Sequence, residues 1–193
     1  MKVKEPSRRL LWFWWLVFIA LLILAVIIIL KVEGLRNPLE KNQPGLYSVT
    51  EFIDGDTIAV NMNGQNEIIR MIGIDTPETH RPNTPVQCYG VEASNYTKQL
   101  IGKNKVRLQA DPLNTNRDRY NRLLRYVYLP DGALLESKII SEGYGFAYTQ
   151  FPFQRAAEFE GLENQAERSK KGLWGACEVI VSSTGLEQTN PAN

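Results

Sequence analysis

From Leu10 to Leu30 the chain reads LLWFWWLVFIALLILAVIIIL, 21 positions without a charged side chain. Crossing a bilayer core of about 30 Å takes about 20 apolar residues, so the expected element is one N-terminal transmembrane helix over residues 10–30. A cleaved signal peptide would have a shorter apolar region followed by a small-residue cleavage site, and no such site follows Leu30. Residues 31–44, KVEGLRNPLEKNQP, show no periodicity and hold two prolines, and they read as a linker.

Residues 45–177 have the patterns of a folded domain. In TIAVNMNGQNEIIRMIGI, apolar residues alternate on both sides of Asn63-Gly64, a strong hairpin signal. KVRLQA alternates Val106, Leu108 and Ala110 against polar neighbours, and LLRYVYL is rich in strand formers. Helical stretches over 92–102, 133–143 and 154–172 each end in glycine, the usual helix stop. The order is three strands, a helix, two strands and two helices. Five short, closely spaced strands favour a five-stranded β-barrel of the OB-fold type with three α-helices packed on it. Residues 178–193 are polar, with little to bury from Ser182 onward, and are expected to be disordered.

Charge adds orientation. Lys2, Lys4, Arg8 and Arg9 precede the apolar run, which keeps residues 1–9 in the cytoplasm and puts the domain on the extracytoplasmic side of a single-pass cell-membrane protein. Trp12, Trp14 and Trp15 suit the membrane interface. With those four cations and Glu5 set aside, the net charge of +1 becomes −2, so the domain is no generic polycation. Attraction to phosphate would have to come from a local cluster or a bound cation.

Two acidic turns supply the candidate chemistry. IDGDT spans residues 53–57, and IDTPETH, residues 74–80, follows the run EIIRMIGI. The hairpin register sets Thr57 opposite Arg70, with Asp75 farther along, a gap of about 13 Å in a flat ribbon that a coiled barrel could close. If they converge, Asp56, Asp75 and nearby carbonyls offer only oxygen ligands, suited to Ca²⁺ or Mg²⁺. DRYNRLLRY adds Arg119, Arg122 and Arg125 around Tyr120, and an arginine fork donates in pairs to a phosphodiester. Asp54 reads as a brace of its turn, and His80, the sole histidine, as a solvated loop residue. Such turns and arginines are also common on ordinary surfaces.

In order, IDGDT, RMIGIDTPE, DRYNR and GLW resemble the staphylococcal nuclease-like (thermonuclease) family over roughly Val49 to Cys177. The resemblance implies an OB-fold barrel with three helices and Ca²⁺-dependent hydrolysis of DNA and RNA; Mg²⁺, which the oxygen donors also suit, is the lesser alternative, and no protein partner is inferred. By motif position, Asp56, Asp75 and the Thr76 carbonyl resemble the calcium ligands. Glu78 falls where the family activates or orients the attacking water, and Arg70 and Arg122 match its two phosphate-holding arginines. Tyr120 and Tyr148 match tyrosines near the nucleotide.

Two positions depart from the pattern: Gln150 stands in place of a second tyrosine, and Asn121 in place of a glycine, in a turn that asparagine tolerates. Cys88 and Cys177 are the only cysteines. Family members with cysteines at these positions resemble disulfide-bonded proteins, and an extracytoplasmic setting permits the bridge. Two unpaired thiols stay open as the alternative, because the sequence does not set their Cα separation. The rival functional reading is a non-catalytic nucleic-acid- or protein-binding module on the same barrel.

Overall fold

A computed structural model describes residues 12, 15, 17–27, 45–79, 85–182 and 185–192. The chain divides into two units, 1–41 and 42–193. In the first, Trp12, Trp15 and residues 17–27 are helical and largely exposed. No helix among the described residues is long and apolar enough to cross a membrane, so the expected transmembrane helix is not found. The remainder of that span, the segment 1–9 and the whole of the linker 31–44 lie outside the described residues, as does His80.

The second unit is built on a closed barrel of β1 (Leu46–Phe52), β2 (Thr57–Met62), β3 (Gln65–Met71), β5 (Lys105–Gln109) and β6 (Leu123–Tyr128), in the order β1-β2-β3-β6-β5. Alternation explains its interior. Ile58, Val60 and Met62 of β2 meet Ile69 and Met71 of β3, Val106 and Leu108 of β5, and Leu123 and Val127 of β6 in one buried cluster. Asn63 (φ 54) and Gly64 (φ 90) close the β2–β3 hairpin with both central residues at positive φ, the turn whose twist matches its strands. The resulting register pairs Thr57 with Arg70. β3 and β6 run parallel, with Arg70 beside Leu124.

Two further pairs are short: β4 (Ile74–Asp75) with β7 (Phe146–Ala147), and β8 (Val179–Val181) with β9 (Glu187–Thr189). The helices are α1 (Gly90–Ile101), α2 (Leu135–Ser141), α3 (Ala156–Arg168) and α4 (Leu173–Ala176). Three were expected on the barrel, and the described residues of this unit hold four. The extra helix is a single turn anchored by the buried Leu173, too short to give a periodic signal. Edge-on contact between Trp174 and Phe146, centroids 5.3 Å apart, fastens it to β7.

Residues 178–193 correct a second expectation. Their composition offers no core, yet β8 and β9 pair with each other and Cys88 is bridged to Cys177 with the Cα atoms 5.9 Å apart. Backbone pairing and a covalent tie supply the order that hydrophobic burial could not.

Where α2 packs on β6, Leu135, Ile139 and Ile140 join Phe159 in the core, and Glu136 is buried among them. Both Glu136 carboxylate oxygens accept the Val127 N–H, at 3.0 and 3.2 Å. Burial pushes this carboxyl well above its ordinary value, against the opposing pull of that bond and of Arg155. With the folded pKa raised, the unfolded chain releases its proton first, so stability is full below about pH 4.5 and falls as pH rises toward the folded pKa. Glu136→Gln is expected to flatten this slope, which urea unfolding at pH 5 and pH 8 measures; an unchanged pH dependence would contradict the assignment.

Candidate active site

The two acidic turns meet because β3 ends in a reversal. After Met71 the chain turns through Ile72 and Gly73 (φ 73) into β4, carrying Asp75 and Thr76 back toward the β1–β2 turn. The Met71 N–H donates to the Asp56 carbonyl at 3.0 Å. The Thr76 N–H and hydroxyl both donate to Asp56 Oδ2, at 3.0 and 3.2 Å. Only glycine permits this approach at position 55: a Cβ there would lie 2.7 to 2.9 Å from the Thr76 side chain. From the opposite side, the Thr97 hydroxyl of α1 donates to the Gly55 carbonyl at 2.6 Å.

Arg70 occupies the junction. Its Nη1 donates to the carbonyls of Met71 (2.9 Å) and Ile74 (2.7 Å), bracing the reversal. Its Nη2 pairs with Asp75 Oδ1 at 2.8 Å and Asp56 Oδ2 at 3.2 Å, so two carboxylates from separate turns reach one nitrogen. Burial opposes the guanidinium charge, but Asp56 and Asp75, then Tyr148 and Glu78, outweigh it and hold the pKa above its ordinary value. Tyr148 is set by its N–H, which donates to the Gly73 carbonyl at 2.8 Å.

Asp54 braces its own turn as expected, its Oδ1 accepting from the Gly55 N–H at 2.8 Å and the Thr79 hydroxyl at 3.1 Å. Burial first, then the charges of Asp56 and Glu78, push its carboxyl up to about 6. Asp56, Asp75 and Glu78 thus stand in electrostatic reach of the largely buried Arg70, and Asp54 in reach of Asp56 and Glu78.

Arg122 and Tyr120 sit on the neighbouring loop, two and four residues upstream of Leu124, the register partner of Arg70. Asp118 organises that loop. Its Oδ1 accepts the N–H groups of Tyr120 and Arg122, each at 2.9 Å, and its Oδ2 accepts Arg122 Nε at 2.7 Å. Burial raises the Asp118 carboxyl, but its bonds to Arg122 outweigh that and leave it below the usual carboxylate range. Asn121 adopts φ 66 to close the turn. Tyr120 is 64% exposed, flanked by the guanidinium groups of Arg119 and Arg122 at 4.8 and 5.4 Å from its ring.

Arg125 departs from the phosphate-facing cluster in which the sequence put it. It is fully buried, on the same side of β6 as Leu123 and Val127, and donates to the Asn116 and Leu124 carbonyls and to Asn116 Oδ1. Strand alternation turned it inward. Sequence reasoning also missed Asp118, although an aspartate two and four residues before N–H groups of a tight loop is a turn-forming signal. Thr97 had no local signal, since its bond spans 42 residues.

Beside Asp75 lies a cavity of about 310 Å³ whose walls include Tyr148, Gln150, Glu160, Glu163 and Glu187. Burial, with Glu187, Glu167 and Glu160 adding, pushes the Glu163 carboxyl up to about 7 against the Ala147 N–H bond. Phosphate is disfavoured on this wall, while the Arg119–Tyr120–Arg122 loop offers positive charge.

The donor set at the junction fits a hard cation. Asp56 and Asp75 converge from two turns on Arg70, and both offer carboxylate oxygens, the ligand type a hard cation takes. No cluster of three or more His, Cys, Asp or Glu side chains among the described residues could hold a metal. The set read from the sequence has two carboxylates and a backbone carbonyl, so it lies below that number.

A closed five-stranded barrel, with Asp56, Asp75 and Arg70 gathered at the end of one hairpin, defines an OB-fold protein with an acidic candidate site. The family is specific. A model of the staphylococcal nuclease homologues matches residues 68–176, and the chain belongs to that family. It is 39% identical to the thermonuclease of Staphylococcus hyicus over 80% of this chain and 94% of that protein. Against the thermonuclease of Staphylococcus intermedius the identity is 37%, over 79% and 94%. Endonuclease YncB of Bacillus subtilis (strain 168) is 40% identical over 76% of this chain and 70% of its own length.

The contact between the acidic turns has a direct test. Gly55→Ala is expected to force Asp56 and Thr76 apart and to cost about 1–3 kcal/mol, the usual range for overpacking a tight contact. Urea unfolding of the variant measures this, and wild-type stability would remove Gly55 from the account.

Proposed function

We propose that this domain is a nuclease that hydrolyses phosphodiester bonds of DNA, RNA or both, with a metal ion and with low sequence specificity. The observation that carries the reading is the convergence of Asp56 and Asp75 on Arg70, with Glu78 in electrostatic reach. Membership of a family whose relatives include thermonucleases and an endonuclease supports it.

Attack of water on a phosphodiester needs a polarised phosphoryl oxygen, a proton acceptor and fixed positive charge. Asp56, Asp75 and the Thr76 carbonyl would hold Ca²⁺, the cation thermonucleases generally use, in preference to Mg²⁺. Bound there, the ion supplies Lewis-acid polarisation of the phosphoryl oxygen. Glu78 takes or directs the proton of the attacking water. Arg122, held by Asp118, donates to the phosphate oxygens, and Arg70 contributes its buried charge. Tyr120 and Tyr148 flank the nucleotide, Tyr120 from an exposed position that suits stacking. These contacts address phosphate, sugar and ring faces, which carry little sequence information.

The apolar run from Leu10 to Leu30 and its basic flank support a membrane-anchored form with the domain on the extracytoplasmic side. Protease added to intact cells is expected to degrade the domain, and full protection would reverse this topology.

Degradation of single- and double-stranded DNA and RNA tests the activity. Cleavage is expected with Ca²⁺, to disappear with chelator and to return on re-addition; full activity in chelator would sink the metal role. Glu78→Gln and Arg122→Ala are each expected to lower the rate on the order of 10² or more with the fold intact by circular dichroism. Binding without cleavage in the wild type would favour a binding module instead.

A further inference from the structure

The C-terminal residues beyond the family-matched segment line part of the cavity beside Asp75 through Glu187, and they also reach the backbone of Glu78 through Gln87. Residues 86–88 lie along the strand that returns from the β8–β9 hairpin. The Cys88 N–H donates to the Asn190 carbonyl at 2.7 Å, the Ala192 N–H to the Val86 carbonyl at 2.8 Å, and the Thr189 hydroxyl to the Cys88 carbonyl at 2.7 Å. Gln87 and Pro191 form an antiparallel bridge at the centre of this pairing. The same open end of the hairpin is fixed by the Cys88–Cys177 disulfide and by two bonds between Glu178 and Asn190.

Gln87 faces Glu78 with two hydrogen bonds. The Glu78 N–H donates to Gln87 Oε1 at 2.7 Å, and the Gln87 N–H donates to the Glu78 carbonyl at 2.9 Å. Residues 76–79 belong to no helix or strand, so no ladder fixes Glu78. A second support is Gly90, the first residue of α1, where a Cβ would lie 3.0 Å from the carbonyls of Pro77 and Glu78. α1 thus approaches the Glu78 backbone as closely as a residue without a side chain allows.

We propose that Gln87 is the positioning residue for Glu78, and that the C-terminal hairpin, with its disulfide, is the clamp that holds Gln87 in register. This rests on the reading of Glu78 as the residue that directs the attacking water. A general base works only within hydrogen-bond reach of the water it serves, so a shift of its backbone lowers turnover more than substrate affinity. Order in this tail, which burial does not explain, then has a use at the site.

The test uses the full chain, saturating Ca²⁺ and a single-stranded DNA oligonucleotide. Gln87→Ala removes the acceptor for the Glu78 N–H, while Gln87→Glu keeps an oxygen at the same reach. Gln87→Ala is expected to lower kcat about 10- to 100-fold with KM within about twofold, and Gln87→Glu to restore kcat to within about fivefold of wild type. Thr189→Val, which loosens the clamp without touching Gln87, is expected to lower kcat about 2- to 10-fold, again with little change in KM. In a Glu78→Gln background the Gln87→Ala effect is expected to shrink to less than about twofold, because both changes act on one group. A purely structural role would instead move the thermal midpoint without separating kcat from KM. Wild-type kcat in Gln87→Ala, or a full-sized loss added to that of Glu78→Gln, overturns the inference while the reading of Glu78 stands. Wild-type activity of Glu78→Gln overturns both.

Discussion

The organisation of this domain depends on the bonds made by one buried guanidinium. Arg70 leaves the end of β3 and spends one nitrogen on the backbone of the reversal that follows and another on carboxylates from two turns. Each half depends on the other. Without the carbonyl bonds the reversal would not bring Asp75 to Asp56, and without the carboxylates a desolvated cation would stand in the barrel wall at a cost of several kcal/mol. Planarity matters as well, since a lysine ammonium could not serve carbonyls on one branch and carboxylates on the other.

Around this centre, elements distant in sequence provide the supports. α1 reaches the first acidic turn through Thr97 and the second through Gly90, and so sets the two turns relative to each other. Gly55 lets the turns touch, and Asp118 arranges Tyr120 and Arg122 on the adjacent loop. The side chains that point at the site are few. Those that hold them come from the barrel, from α1 and from the tail.

The electrostatic arrangement is uneven, which bears on how a polyanion would approach. Carboxylates crowd the junction and the cavity beside it, while arginines flank the exposed Tyr120. A domain without net positive charge attracts phosphate only where such local charge is concentrated. Within that crowding Arg70 pairs with both Asp56 and Asp75, whose charges hold its pKa above the ordinary value.

Much of the fold was legible because it is written in short-range patterns. Alternation marked the barrel strands, Asn63-Gly64 fixed the hairpin and with it the pairing of Thr57 with Arg70, and the first helix stops at Gly102 as expected, whereas the stretch read over 154–172 ends earlier, at Arg168. Family motifs named the candidate site residues and the cysteine pair, which the structure joins. Arg125 was misread because its inward direction follows from strand phase, not composition, and α4 was missed because one turn has no period. The tail was misjudged because its order comes from backbone bonds to residues 86–88 and from the disulfide. By itself the sequence determined which residues form the barrel strands and the three longer helices and which are candidates for the chemistry, since both are properties of neighbours along the chain. Tertiary structure alone decided that Asp56 meets Asp75, that Thr97 and Gly90 hold their turns and that Gln87 holds Glu78, because these contacts depend on chain reversals and packing that no local pattern encodes.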